Sequence, residues 1–379
     1  MGDRCMGSTD STKERQRRNI AFDILRIIAM LMVTMLHITG HGLGGVEIEA
    51  FSGVYWIVLI FNTFSLVAVN CFVLISGYFL SQKNVSLKKI VALWFQVWTY
   101  SVAIYLVLCA MPGVDVNFSI PALVECLCPL LSNQYWFFTC YLLLYLFSPV
   151  LNRLMDAWDQ QEHQKILIAL IAVFSVIPSI NIWGDSFGTN RGYSLVWFSV
   201  LYLIGGYIRK YPLRLPVHPA LVYAVPSVVL CALHSAITAW DPGIGSLEVI
   251  LTNQTSYNGP LVLCASVGLL IWAQNSSLQP NARITKVITT SASLTFGVYL
   301  LHDHGMIRQV LWNDWVRLAE VSNNGAAFLL RVIIVLIGIF VCGLAAEFIR
   351  QKLMGCFAHI LKTENILDWK DRNETTKQN

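Results

Sequence analysis

Charge is what this sequence has least of. Only 13% of its 379 residues are Asp, Glu, Lys or Arg, about half the share of an ordinary soluble domain. So few charges cannot coat a solvated surface of this size, which excludes a soluble enzyme or a soluble binding module. Familiar chemical signatures are also missing: there is no HExxH, no Cys pair with metal-ligand spacing, no fixed-period repeat and no pair of inverted halves of the kind many transporters carry. The first residues, MGDRCMGSTDSTKERQRRN, show neither a cleavable-signal pattern nor a complete acylation signal, because Met6 stands where Ser or Thr is required. Disulfides are not expected to matter. Of the ten cysteines, Cys71, Cys109, Cys140, Cys231, Cys264 and Cys342 fall inside apolar runs, where cysteine acts as a small apolar residue. Cys126 and Cys128 alone lie together in a loop, where a vicinal disulfide or metal pair is open to them.

Apolar runs are what the chain has in abundance. Hydrophobic residues make up 56% and the mean hydropathy is +0.59. Ten segments are apolar and long enough to approach the roughly 30 Å hydrocarbon layer, which needs about 20 helical residues. They lie near 20–40, 54–80, 88–111, 134–152, 165–183, 193–209, 219–239, 259–274, 288–306 and 326–349, the sixth and eighth being short. Lys and Arg accumulate on cytoplasmic loops. With the N-terminus inside, 21 of the 26 Lys and Arg residues fall on inner segments and three, Arg191, Arg308 and Arg317, on outer loops. The expected architecture is an all-α bundle of about ten transmembrane helices with both termini cytoplasmic. A polar lead over 1–19 precedes a membrane domain over 20–350, and a polar tail over 351–379 follows. The net charge of +4 is then topological and implies a lipid bilayer, not nucleic acid, as partner.

Against this background the first span stands out. Residues 23–37, DILRIIAMLMVTMLH, hold Asp23, Arg26 and His37 in an otherwise apolar run, and polar groups inside a span normally face protein, water or ligand. Eleven helical steps bring Arg26 and His37 to within about 20° of one another and roughly 16 Å apart along the axis, so one face carries both. Arg26 offers a permanent charge and a planar fork suited to phosphate or carboxylate, or else an ion pair with Asp23. His37 has the titration range of a general base, or else hydrogen-bonds between helices. His41 lies one turn beyond, and His302, Asp303 and His304 end the ninth span on the same side. His37 and His41, at i and i+4, could grip a metal on one helix face with the His302–His304 cluster, but no HExxH or Cys pair with ligand spacing accompanies them and no metal is expected. Asn70, Gln96, Arg331 and Glu347 are further polar residues within spans. Trp183, Tyr193, Trp240, Tyr257, Trp312 and Trp315 fall on the outer side, as an interfacial belt or as surfaces for sugar rings.

These stretches resemble the acyltransferase-3 family of integral membrane proteins. DILRIIAMLMVTMLH is similar to the family's pattern of an Arg and a His ten residues apart on the first span, carried by Arg26 and His37. NCFVLISGYFL (70–80) looks like its Ser-Gly-Tyr stretch, with Ser76, and SASLTFGVYLLHDH (291–304) like its late span running from Tyr299 to His302. YWFF (135–138) and SPVLN (148–152) are supportive, and the likeness extends from residue 18 to about 350. The resemblance implies an O-acyltransferase, with acetyl-CoA as cytoplasmic co-substrate, no further cofactor, and a hydroxyl of an extracytoplasmic polysaccharide or lipid-linked glycan as acceptor. It implies His37 as catalytic base, Arg26, Lys88 and Lys89 as donor-binding groups, and Asp23, Ser76, Tyr299 and His302 as supporting residues. The chain would sit in the plasma membrane, the inner membrane of a bacterium. It departs from the family at the third span, where an arginine pair is replaced by Lys88 and Lys89, which supply point charge but no bidentate fork. The alternative class is a transporter or flippase in which Arg26 binds an anion and His37 relays protons.

Overall fold

A computed structural model describes residues 18–185, 187–240 and 245–360. Among them every regular element is helical. The helices are α1 Ile20–His41, α2 Gly53–Ser65, α3 Ala68–Leu80, α4 Leu87–Ala110, α5 Ile120–Leu127, α6 Trp136–Ala157, α7 Gln160–Ile171, α8 Ile177–Ile180, α9 Leu195–Lys210, α10 Pro219–Trp240, α11 Gly245–Gln254, α12 Pro260–Asn275, α13 Ala282–His302, α14 Gly305–Gln309 and α15 Gly325–Ile360. Eight stretches are long and apolar enough to cross a membrane, α2 with α3 and α7 with α8 each forming one of them. The two short expected spans are α9 and α12, 16 residues each. Most of α9 is buried against protein, so helices α3 and α6, not lipid, supply its surroundings. The all-α polytopic expectation therefore holds. The polar lead falls almost wholly outside the described residues, as does the tail beyond Ile360.

Expected spans and observed helices differ most at two places. The span over 54–80 is broken at Leu66 and Val67. No Pro or Gly is there; the Tyr223 hydroxyl instead donates to the Phe64 carbonyl at 2.9 Å. It thereby occupies the acceptor that the helix would offer to residue 68, one of the recognised causes of a helix break. At the other end, α15 runs ten residues past 350, because the sequence after Arg350 contains no proline and Gly355 is carried within the helix.

Helix α1 occupies the middle of the bundle and packs against α2, α3, α12, α13 and α15. Its start is fixed twice by Asn19, whose side chain accepts from the Ala21 amide at 3.0 Å and donates to the Ala273 carbonyl at 2.8 Å, a cap worth about 1 kcal/mol. Close approach of α3 and α9 depends on glycine. A Cβ on Gly77 would meet the Tyr202 backbone, and one on Gly205 the Leu74 carbonyl. Small residues at such crossings are how membrane helices gain contact where lipid offers no hydrophobic drive. Gly77, part of the Ser-Gly-Tyr stretch, is accounted for by this packing, while its neighbour Ser76 points to a cavity.

Candidate active site

Two cavities meet at His37. The inner one, about 330 Å³, is lined on one side by α1 through Arg26, Met30, Val33 and His37, and elsewhere by Ser76, Phe79, Gln96, Phe137, Tyr141 and Tyr299 among others. The outer one, about 570 Å³, is lined by His37, His41, Asn62, Arg191, Tyr193, Thr252, Ser256, Asp303 and Arg308 among others. Leu36, His37, Trp136 and Tyr257 belong to both. The stripe expected on α1 thus lines a passage, with Arg26 at one end and His37 at the junction. The break between α2 and α3 helps shape the outer cavity, since Asn62 and Leu66 beside it are part of its wall.

At the Arg26 end, the buried carboxylate of Asp23 holds two guanidiniums: Arg18 at 2.7 Å to each oxygen and Arg26 at 2.8 Å. The ion pair considered for Arg26 exists, yet it does not use the whole fork, and two cations share one anion. Arg26 also lies over the Phe79 ring, 5.4 Å from its centre, a favourable cation–π distance. The surplus positive charge suits an anionic ligand. Lys88 and Lys89 are exposed at the start of α4 and do not line the cavity; from that helix Leu93 and Gln96 do. Ser76 donates to the Phe72 carbonyl at 2.8 Å and meets the Tyr141 hydroxyl at 3.3 Å. Among the other polar residues flagged in spans, Asn70 bridges the Tyr257 carbonyl and the Trp197 indole, Arg331 pairs with Glu320, and Glu347 with Arg350. These three are structural; Gln96 reaches the cavity.

At the junction, hydrogen bonds assign the tautomers. His302 Nδ1 lies 2.6 Å from the Val298 carbonyl, which can only accept, so this nitrogen carries the proton. The neutral His302 ring then offers Nε2 as an acceptor. His37 Nδ1 stands 2.9 Å from it and must donate. The Nε2 of a neutral His37 is therefore a free base, held in orientation by a residue 265 positions away. Asp303 is buried beside them, its Oδ1 3.6 Å from His37 and 3.8 Å from His41. Arg308 Nε lies 2.9 Å from that oxygen, although its N–H is directed at the Asp303 backbone carbonyl. Just outside the span, burial drives the His304 pKa down to about 4, so this histidine is neutral at physiological pH. Tyr299 lines the inner cavity, and its buried hydroxyl makes no hydrogen bond among the described residues.

His37, His41 and Asp303 bring ligand atoms within 4.8 Å of one another, a spacing that could hold a metal ion. One feature weighs against it: the Asp303 charge is already met by Arg308. Cys126 and Cys128 are both free, the first buried and the second exposed. Of the outer aromatics, Tyr193 and Tyr257 line the outer cavity, Trp312 is buried, and Trp183 is 85% exposed, with Trp240 and Trp315 also on the surface. Trp136 of α6, which sequence reasoning did not single out beyond the YWFF stretch, lines both cavities. No periodic signal in the sequence could have joined it to His37.

No curated protein and no solved structure matches the chain. The family model described as an acyltransferase domain, that of the acyltransferase-3 family, matches residues 19–347, which contain both cavities and every helix that lines them. Matched over this length, a chain whose two adjoining cavities share an oriented imidazole belongs to the acyltransferase-3 family and is an integral membrane acyltransferase.

Proposed function

We propose that the protein transfers an acetyl group from cytoplasmic acetyl-CoA to a hydroxyl of an extracytoplasmic glycan. The observation that carries this reading is that His37 lines both cavities. A donor entering from the Arg26 end and an acceptor entering from the other would meet only there. The phosphates of CoA stay at the cationic end with Arg26, and the thin pantetheine arm follows the α1 stripe over the roughly 16 Å to His37. The acceptor hydroxyl loses its proton to His37 Nε2 as its oxygen forms a bond to the thioester carbonyl carbon. The resulting imidazolium still donates through Nδ1 to His302. Tyr299 supplies a hydroxyl donor for the developing oxyanion, an interaction that gains strength in a dry site. As the tetrahedral intermediate collapses the carbon–sulfur bond breaks, and His37 returns the proton to the CoA sulfur. General-base assistance of this type contributes about 10²- to 10⁴-fold, and alignment of two bound substrates supplies much of the rest. No resident cofactor enters the reaction. On this reading the Arg26 end faces the cytoplasm, the side on which Lys and Arg accumulate, and the membrane is a bacterial inner membrane.

Purified protein in detergent tests the reading. Water can take the place of the acceptor, so slow hydrolysis of acetyl-CoA is expected, read as release of the free CoA thiol above protein-free micelles. A transporter or flippase has no reason to cleave the thioester. Intact acetyl-CoA after prolonged incubation would contradict acyl transfer.

A further inference from the structure

Cations outside the membrane run against the bias that sorts membrane loops, so each of Arg191, Arg308 and Arg317 needs a local reason. Arg308 has Asp303 at 2.9 Å, and Arg317 has Glu320 at 3.5 Å. Arg191 makes no ion pair and its guanidinium no hydrogen bond among the described residues. It is nevertheless firmly placed. Asn190, Arg191 and Gly192 are consecutive in the left-handed region, with φ of 44°, 53° and 92°. For a non-glycine residue this region is strained, and such strain persists only where the surroundings impose it. Here they do. The Asp185 carboxylate accepts from the Thr189 amide and hydroxyl, both at 3.1 Å, and from the Asn190 amide. A Cβ on Gly192 would sit 2.6 Å from that of Tyr257, so the turn is pressed against the wall of the outer cavity. Asp185 spends its hydrogen-bonding capacity on the turn's backbone and the Thr189 hydroxyl and makes no contact with the Arg191 guanidinium.

Arg191, an exposed residue that this turn presents, lines two cavities. One is the outer cavity that His37 lines; the other is an adjoining polar recess of about 290 Å³ with Thr189, Asn253 and Asn258 in its wall. In the outer cavity it shares the lining with an aromatic cluster, Trp136 lying 4.4 Å from Tyr193 and 6.1 Å from Tyr257 between ring centres. Resting on the acyl-transfer reading above, we propose that Arg191 is the anion anchor of the acceptor site, and that the acceptor is a sugar carrying an oxyanion, a carboxylate or a phosphate ester, beside its reacting hydroxyl. The planar fork pairs bidentately with either group, the ring gains aromatic surface, and an outer cation that is unpaired among the described residues is neutralised on binding.

Equilibrium binding to protein in nanodiscs, without donor, tests this with methyl β-glucuronide, glucose 1-phosphate and methyl β-glucoside as probes. At least one anionic sugar should bind ten-fold or more tightly than the neutral glucoside, and the tighter of the two names the carboxylate or the phosphate as the group recognised. Arg191→Gln should bring the anionic sugars to the affinity of the glucoside and leave acetyl-CoA affinity unchanged, with Arg191→Lys recovering part of the difference. Equal affinity for charged and neutral sugars, no binding of any of the three, or discrimination that survives Arg191→Gln would overturn the proposal. The acyl-transfer reading fails separately: a protein that discriminates the sugars through Arg191 but cannot cleave acetyl-CoA would contradict that reading and keep the anion site.

Discussion

Replacing His37 by alanine is expected to lower acyl transfer by about 10²- to 10⁴-fold, the range general-base assistance contributes, while the folded protein still binds acetyl-CoA. His41, 39% exposed at the side chain and farther from the junction, is expected to tolerate the same change with substantial activity left. The contrast follows from the hydrogen bonds: His37 Nδ1 is held by His302, whereas His41 meets only the Asp303 carboxylate at 3.8 Å. His302→Gln, which keeps an oxygen able to accept from His37, should outperform His302→Ala, which leaves His37 free to turn. Wild-type transfer should rise with pH as a single imidazole loses its proton, because only the neutral ring can take the hydroxyl proton. Steady-state transfer and donor binding in this series of four variants separate a base from a metal. With a zinc ion on His37, His41 and Asp303, both histidine-to-alanine variants would fail alike and a chelator would abolish activity. Normal transfer by His37→Ala would remove the catalytic assignment.

The second large effect belongs to Arg26. Losing a charge-assisted contact inside a dry bundle costs about 1.5 to 3 kcal/mol, so Arg26→Ala should bind acetyl-CoA roughly 10- to 150-fold more weakly. Arg26→Lys should fall between the two, keeping a charge without the fork. The fold should survive, because Asp23 keeps Arg18 at 2.7 Å on both oxygens and is not left as a lone buried charge. Binding is best read by titration with a non-hydrolysable acetyl-CoA analogue. Unchanged affinity in folded Arg26→Ala would return this residue to a purely structural pairing with Asp23.

The α1 stripe was legible in the sequence because helical geometry alone puts Arg26 and His37 on one face. The ten helical segments were legible for a similar reason, since hydropathy reports directly on the solvent a helix must face. What joins α1 to the rest was not. His302 lies 265 residues from His37, and no local period encodes a contact across that distance. The cluster of His302, Asp303 and His304 could be seen as a polar end of a span, but its partner Arg308 and the acceptor role of His302 Nε2 depend on packing. Lys88 and Lys89 carry charge in the expected loop, yet the helix that follows turns Leu93 and Gln96, not the lysines, toward the cavity. The break at Leu66 is set by Tyr223, a hydroxyl from α10 that local sequence around residue 66 cannot reveal.

Transfer across the bilayer is the central claim, and sealed proteoliposomes measure it most directly. With acetyl-labelled acetyl-CoA confined to the face bearing Arg18 and Arg26, and an acceptor glycan confined to the other, label should appear on the glycan while the CoA moiety stays on the donor side. Intact acetyl-CoA arriving on the glycan side, or labelling of glycan only when both substrates share one face, would contradict a passage in which donor and acceptor meet at His37.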